Sequence, residues 1–146
     1  SKGEIKCILL CFTLACSPDT LILDEFYNGL DVSNKEIANK HFQNFIESEN
    51  HTIFIATNHL EEVTQFADYF ILVNKGVVSP PYSTIELQTS FRIDYMDSEA
   101  FNNCSADIIS SRRIQDHYRV LTKSSNNSEK SDIEEVLLML GGQDHV

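Results

Sequence analysis

Hydrophobic and polar positions divide the first 79 residues into segments of helix length and segments of strand length. An apolar segment over residues 4–16 predicts a largely buried helix, which ends at Ser17-Pro18-Asp19 because proline cannot continue it. Two short apolar runs, Leu21-Ile22-Leu23 and Ile53-Phe54-Ile55-Ala56, have the length and composition of parallel strands that are covered on both faces.

The segment between these two strands predicts a second helix. Ser33 followed by Glu36 forms a capping box, in which each side chain bonds to the backbone of the other end of the turn. Five apolar residues then recur at helical spacing, so we expect one apolar stripe that faces the core. The stripe consists of Ile37, Ala38, Phe42, Phe45 and Ile46.

A third helix is predicted over Leu60 to Ala67, followed by a hairpin. The hairpin pairs Tyr69 to Val73 with Val77-Val78 around the turn Asn74-Lys75-Gly76. The order helix, strand, helix, strand, helix, hairpin is that of the second half of an α/β layered domain. In such domains the functional loops lie at the carboxyl ends of the strands.

Residues 80–146 differ in composition and predict a small accessory region behind a proline linker at Ser79-Pro80-Pro81. The boundary therefore separates residues 1–79 from residues 80–146. The predicted elements are strands at Phe91 to Tyr95 and His117 to Thr122, a short helix at Ser98 to Asn103, a polar loop at Ser124 to Ser131, and a last helix that is capped by Ser131 with Glu134 and ends at Gly141-Gly142.

The net charge of −11 argues against a nucleic-acid partner, which would require clustered Lys and Arg. Three of the four cysteines, Cys7, Cys11 and Cys16, lie in the first apolar segment, while Cys104 is isolated. Their spacing differs from that of structural zinc sites, so we expect reduced, buried thiols.

The strand Leu21 to Leu23 leads directly into two adjacent carboxylates, Asp24 and Glu25. The first can hold the water shell of a metal ion, and the second can orient an attacking water. With its neighbours this pair resembles the ATP-binding-cassette (ABC) ATPases, because four motifs occur in the family's order. Ser1-Lys2-Gly3-Glu4 is similar to the signature, Asp24-Glu25 to the Walker B aspartate and catalytic glutamate, Asn28-Gly29-Leu30-Asp31 to the D-loop, and Thr57-Asn58-His59 to the switch-histidine loop.

The sequence also departs from the family pattern. It lacks the Gly-rich phosphate loop with its Lys and Ser/Thr, and it lacks the glutamine loop. We therefore expect the chain to be the C-terminal half of an ABC transporter ATPase subunit, inactive by itself. Within the motifs, Lys2 replaces a Gly, Glu4 replaces a Gln, and Phe26 stands where the family usually has Pro.

The resemblance implies an α/β fold, a partial P-loop NTPase of the ABC type with a layered parallel sheet and a small α+β C-terminal appendage. It implies an ATPase that powers transport, with export favoured because the last helix is similar to that of exporter ATPases. The implied site residues are Glu25 and His59 for catalysis, Asp24 for Mg²⁺, Ser1 and Gly3 for the ATP of a second subunit, and Asp31 for communication across the dimer.

The implied partners are ATP with Mg²⁺, a membrane-spanning subunit, and a second ATPase subunit in a head-to-tail dimer at the inner face of the cell membrane. Two alternatives remain open from the sequence. One is a chromosome-maintenance or DNA-repair ATPase of the same superfamily, whose signature often ends in Glu as at Glu4. The other is a secreted or lipid-anchored interaction protein with residues 1–16 as its leader, because this segment also imitates a signal peptide.

Overall fold

The computed structural model describes residues 2–47, 50–124 and 130–142. The chain divides into two compact units, residues 1–66 and residues 67–146. The boundary predicted after residue 79 marks the end of the segment that resembles the ABC ATPases. It is a different boundary from the one between these two units, and it stays a prediction. In the described ranges, every helix is too short or too polar to cross a membrane.

The first unit is built on a pair of parallel strands. Its elements are α1 (Lys2–Ala15), β1 (Thr20–Asp24), α2 (Val32–Ile46), β2 (Thr52–Ala56) and a 3₁₀ helix (Leu60–Glu62). β1 and β2 pair in register from Thr20 against Thr52 to Asp24 against Ala56. Both strands therefore end at the same edge. The predicted order of helix, strand, helix and strand is confirmed.

The prediction of an α-helix over Leu60 to Ala67 is wrong. The backbone forms only the short 3₁₀ helix and then turns. Bonds from Val63 N–H to the Leu60 oxygen and from Phe66 N–H to the Val63 oxygen span three residues. This tighter winding rarely persists beyond one turn.

The core of the first unit includes three buried side chains of α2, those of Ala38, Phe42 and Phe45. The stripe prediction is correct for these three and wrong for Ile37, which is 51% exposed, while Ile46 is half-buried. An amphipathic stripe is at least about 100° wide. In the described residues, the two strands and α1 cover only part of the apolar stripe of α2.

α2 begins one residue ahead of Ser33, so the predicted capping box is wrong. Asp31 caps the helix instead, because its backbone is extended and its carboxylate accepts a 2.8 Å hydrogen bond from the Asn34 N–H. A charged acceptor at this position also interacts favourably with the positive end of the helix dipole.

One face of the first unit is apolar and exposed, contrary to the prediction of a buried α1 and of strands covered on both sides. Ile22 on β1 is 81% exposed and Phe54 on β2 is 56% exposed. Four apolar side chains of α1 are more than half exposed, namely Ile5, Ile8, Leu9 and Phe12. Parallel strands need a layer on each face, and the described residues supply one layer only.

The prediction of buried cysteines is also wrong, and in the first unit the same lack of a covering layer explains it. Cys11 and Cys16 are exposed, and Cys7 and Cys104 are half-buried. All four are free thiols. Burial raises the pKa of the Cys7 thiol, with smaller contributions from Cys11 and Asp31.

The second unit begins with short strands. β4 (Val73–Asn74) and β5 (Val77–Val78) form the predicted hairpin. Lys75 and Gly76 both have positive φ, +48° and +79°, which is the pattern of a type I′ turn. β3 (Tyr69–Phe70), however, pairs with β6 (Tyr82–Ser83) rather than with β5.

The rest of the second unit is a three-stranded antiparallel sheet with helices. Its elements are α3 (Thr84–Thr89), β7 (Phe91–Asp97), α4 (Ser98–Asn102), β8 (Ile108–Ile114), β9 (His117–Lys123) and α5 (Ile133–Gly141). The sheet order is β7-β9-β8, and α5 packs against it with Val136 and Leu137 buried. The predicted strands and short helix are confirmed, whereas β8 was not predicted.

The last helix is capped by Asp132, whose side chain accepts from the Glu135 N–H, so the predicted Ser131 cap is off by one residue. The end of the helix is as predicted, because Gly142 adopts the left-handed conformation that favours glycine. Most of the predicted polar loop, residues 125–129, lies outside the described residues. The mixed α/β architecture agrees with the predicted fold class.

Candidate functional site

The register of the parallel strands brings two of the predicted motifs together. Asp24 is the last residue of β1 and lies opposite Ala56, the last residue of β2. The Glu25 N–H then donates a 2.8 Å hydrogen bond to the Ala56 oxygen. Asp24, Glu25 and the segment that begins at Thr57 therefore leave the sheet side by side.

Glu25 lies in a strained turn that also holds its side chain. Its φ is +44°, in the left-handed region that non-glycine residues rarely adopt. The Asn28 N–H donates to the Glu25 oxygen at 3.2 Å, and the Asn28 side-chain amide donates to the Glu25 carboxylate at 3.0 Å. The carboxylate is thus oriented from within its own turn, while the Asp24 side chain is exposed.

Lys6 of α1 anchors this turn, a contact that sequence reasoning missed. Its Nζ donates hydrogen bonds to the backbone oxygens of Glu25 (2.9 Å), Phe26 (2.9 Å) and Asn28 (2.8 Å). The contact joins residues that are 19 to 22 positions apart. No local pattern in the sequence indicates it.

Two buried aromatic residues attach the turn to the core. Phe26 packs edge to face on Phe42, with ring centroids 5.3 Å apart, and Tyr27 packs on the same ring at 6.4 Å. The Tyr27 hydroxyl donates to the Asn39 side-chain oxygen at 2.6 Å. Burial, and then the nearby Glu62 carboxylate, raise the pKa of Tyr27 well above its usual range.

Gly3, in the first turn of α1, lies directly against the segment predicted as the D-loop. A Cβ at Gly3 would meet the Gly29 oxygen at 3.1 Å and Leu30 Cδ2 at 3.3 Å, so only glycine allows this approach without a shift. Asp31 accepts from both the backbone N–H (2.8 Å) and the side-chain amide (3.1 Å) of Asn34. Ser1, the other predicted signature residue, lies outside the described residues.

His59 follows β2 at the same edge as Glu25. Its backbone N–H donates to the Thr57 hydroxyl at 3.0 Å, which fixes the short loop between them. The imidazole side chain is 45% exposed, and its Nδ1 lies 3.9 Å from the Glu61 carboxylate. The ring is therefore accessible from solvent beside the carboxyl ends of both strands.

The residues at this edge fit a magnesium ion that travels with its nucleotide. Among the described residues, no group of three or more His, Cys, Asp and Glu side chains forms a complete metal site. Mg²⁺, however, keeps several waters and is usually bound by one or two carboxylates together with substrate phosphates. The exposed Asp24 carboxylate is a group of this kind and would hold the ion through its water shell.

Comparison with known proteins gives consistent relatives, although no family model matches the chain. The chain is 30% identical over 78 residues to the energy-coupling factor transporter ATP-binding protein EcfA2 of Enterococcus faecalis, which is 53% of this chain and 27% of that protein. It is 30% identical over 96 residues to the chelated iron transport system membrane protein YfeB of Yersinia pestis, which is 65% of this chain and 32% of that protein.

A solved structure of a metal-chelate type ABC transporter in an inward-facing conformation has the same fold. It superimposes with a TM-score of 0.54 over 85% of this chain and 47% of that chain, at 18% sequence identity. The sequence matches and this shared fold confirm the resemblance to ABC transporter ATP-binding proteins and the P-loop NTPase fold class. The matched region spans about a quarter to a third of the curated relatives.

Proposed function

We propose that this chain, which is similar to the C-terminal half of an ABC transporter ATPase subunit, is part of a protein that hydrolyses ATP to drive transport. The observation that carries the proposal is the edge of the parallel sheet. There the β1–β2 register sets Asp24 and Glu25 beside the loop that leads to His59. The two relatives described above are also named for transport.

Each residue at this edge has a role that suits its environment. Exposed Asp24 would hold Mg²⁺ through the ion's water shell, and the ion supplies positive charge to the phosphates. Glu25, whose carboxylate is oriented by Asn28, would accept a proton from the attacking water or hold that water in line. The exposed His59 imidazole would donate a hydrogen bond to the terminal phosphate.

The signature and D-loop segments suit a dimer in which each subunit completes the other's nucleotide site. Ser1 and Gly3 would close on the ATP that is bound to the second subunit, and Asp31 would communicate between the two sites. The close approach of Gly3 to Gly29 supports this assignment, because it places the signature segment directly against the D-loop segment.

The transporter proposal includes a membrane-spanning partner and a location at the inner face of the cell membrane. The name of YfeB includes a membrane transport system, which supports a partner of this kind. Export remains our prediction for the direction of transport, and it rests on the similarity of the last helix to that of exporter ATPases. None of the contacts described above favours the repair ATPase or the secreted protein.

The natural full-length protein with Glu25→Gln tests the assignment. Gln keeps the size and hydrogen-bonding reach of Glu25 but cannot accept a proton, so ATP hydrolysis should fall about 10²- to 10⁴-fold while ATP binding persists. Asp24→Asn should instead weaken Mg²⁺-dependent binding. Glu36→Gln, which removes an exposed carboxylate from α2, is the control. Near-normal turnover of the Glu25→Gln protein would remove Glu25 from its role.

A further inference from the structure

All hydrogen-bond donors of the Lys6 ammonium group are bonded to the backbone of the turn that begins at Glu25. A lysine ammonium has three N–H donors. All three point to backbone oxygens of a single turn, those of Glu25, Phe26 and Asn28, at 2.8 to 2.9 Å. The Nζ also lies 5.9 Å from the centroid of the Phe26 ring.

Three backbone oxygens converge on one point only because the turn has an unusual shape. Glu25 is left-handed with a φ of +44°, and Gly29, at the end of the turn, has a φ of +77°. Converging oxygens repel each other, and a cation placed among them offsets this repulsion. Lys6 therefore stabilises a backbone conformation that Glu25 would otherwise rarely adopt.

The position of the Glu25 carboxylate depends on this backbone. Two of the three oxygens belong to Glu25 itself and to Asn28, whose side-chain amide binds the Glu25 carboxylate at 3.0 Å. Lys6 thus fixes both the residue that carries the carboxylate and the residue that orients it. Lys6 also lies one helical turn after Gly3, and Gly3 lies against Gly29 at the far end of the turn that begins at Glu25.

We propose that Lys6 is a positioning residue for Glu25, which ties the helix that carries the signature to the turn that carries the catalytic carboxylate. The inference rests on the proposed ATPase function and deepens it. Lys6 does not touch the nucleotide in this scheme. It determines the position of the Glu25 carboxylate, and the first turns of α1 keep Lys6 in place.

Lys6→Met in the natural full-length protein tests the proposal, because Met keeps most of the alkyl stem and removes the ammonium. We expect kcat for ATP hydrolysis to fall about tenfold to a hundredfold, the size of effect that follows from misplacing a catalytic group. The Kd for Mg-ATP should stay within about twofold of its original value. Lys40→Met removes the same charge from an exposed position on α2 and should leave both constants unchanged.

A second measurement separates positioning from general stability. If Lys6 acts through Glu25, adding Lys6→Met to Glu25→Gln should cause no further loss of turnover. Unfolding in urea measures the stability of each variant, and titration with ATP counts its active sites. Dividing the rate of hydrolysis by the number of sites gives kcat per folded molecule. A Lys6→Met protein that is less stable but has an unchanged kcat per site would overturn the proposal, as would a further loss in the Glu25→Gln background.

The outcomes also distinguish this proposal from the function on which it rests. If Glu25→Gln retains turnover, the proposed function fails. If Glu25→Gln abolishes turnover while Lys6→Met behaves like Lys40→Met, only the role of Lys6 fails. Should Lys6→Met not fold, Lys6→Gln replaces it, since its amide offers two donors. Its kcat is expected below that of the original protein, and an unchanged kcat would overturn the role.

Discussion

Truncation of Phe42 should destabilise the first unit far more than truncation of Phe54, although both lie in apolar stretches. Phe42 is completely buried, and its ring packs edge to face on Phe26 and Tyr27, the two residues after Glu25. Phe54 is 56% exposed on the uncovered face of the sheet. The same substitution, Phe to Ala, therefore compares a buried ring with an exposed one.

The expected magnitudes follow from these burials. Phe42→Ala should cost about 3–5 kcal/mol, the range for a fully buried phenylalanine that leaves a cavity. Complete burial of a Phe side chain is worth about 1.5–3 kcal/mol, so Phe54→Ala should cost about 1 kcal/mol. Residues 1–66 have a total stability on the order of 3–10 kcal/mol at the usual value per residue. Loss of Phe42 removes a large part of it.

Urea unfolding, made at a protein concentration at which light scattering shows the chain to be monomeric, gives the two free energies of unfolding when it is followed by circular dichroism and extrapolated linearly. If Phe42→Ala leaves no folded protein, Phe42→Leu and Phe54→Leu replace the pair. Equal losses at the two positions would refute the reasoning. That result would mean that Phe54 is buried within the monomer in solution.

Three further predictions concern the isolated chain. Calorimetry with Mg-ATP should show no stoichiometric micromolar binding, because the sequence has no phosphate loop; such binding would contradict the assignment of the chain as half of an ATPase domain. Light scattering should show self-association, or thermal unfolding should show marginal stability, because Ile22 and Phe54 leave one face of the sheet exposed. A strictly monomeric chain with a sharp, high melting transition would count against this view. The contribution of Tyr27 to stability should be fully present below about pH 10 and be lost as the pH rises further, because folding raises its pKa and only the unfolded chain ionises it there. Tyr27→Phe should reduce the fall in stability above about pH 10, whereas Tyr69→Phe, at an exposed position, should not.

The sequence by itself determined the order of helix, strand, helix and strand over residues 2–56, and it determined which predicted motifs meet at the edge of the parallel sheet. Apolar runs of strand length, separated by a helix, are sufficient to predict parallel strands, because a direct parallel connection needs a crossover. Asp24 and Glu25 directly follow one run, and Thr57 to His59 directly follow the other. The carboxyl ends of parallel strands meet at one edge, so the motifs come together without any tertiary information.

Local turn chemistry was also readable from the sequence. The hairpin at Lys75-Gly76 and the end of α5 at Gly142 depend on backbone conformations that a few neighbouring residues fix. Helix starts were less reliable, since Asp31 and Asp132 competed with nearby serines for the capping position. Several acceptors within one turn can serve the same N–H groups, and packing selects among them.

Only the tertiary structure decided the features that depend on distant partners. β8 has no clear alternation of apolar and polar residues, and it is a strand because β9 supplies its hydrogen bonds. The exposure of Ile22 and Ile37 depends on which layers cover them, which periodicity cannot show. Lys6 reaches the Glu25 turn across 19 residues of sequence. The same reason applies to the strand β8, to these exposures and to the Lys6 contact. The hydrophobic pattern shows which side chains could be buried, while the fold determines which groups are available to cover or bind them.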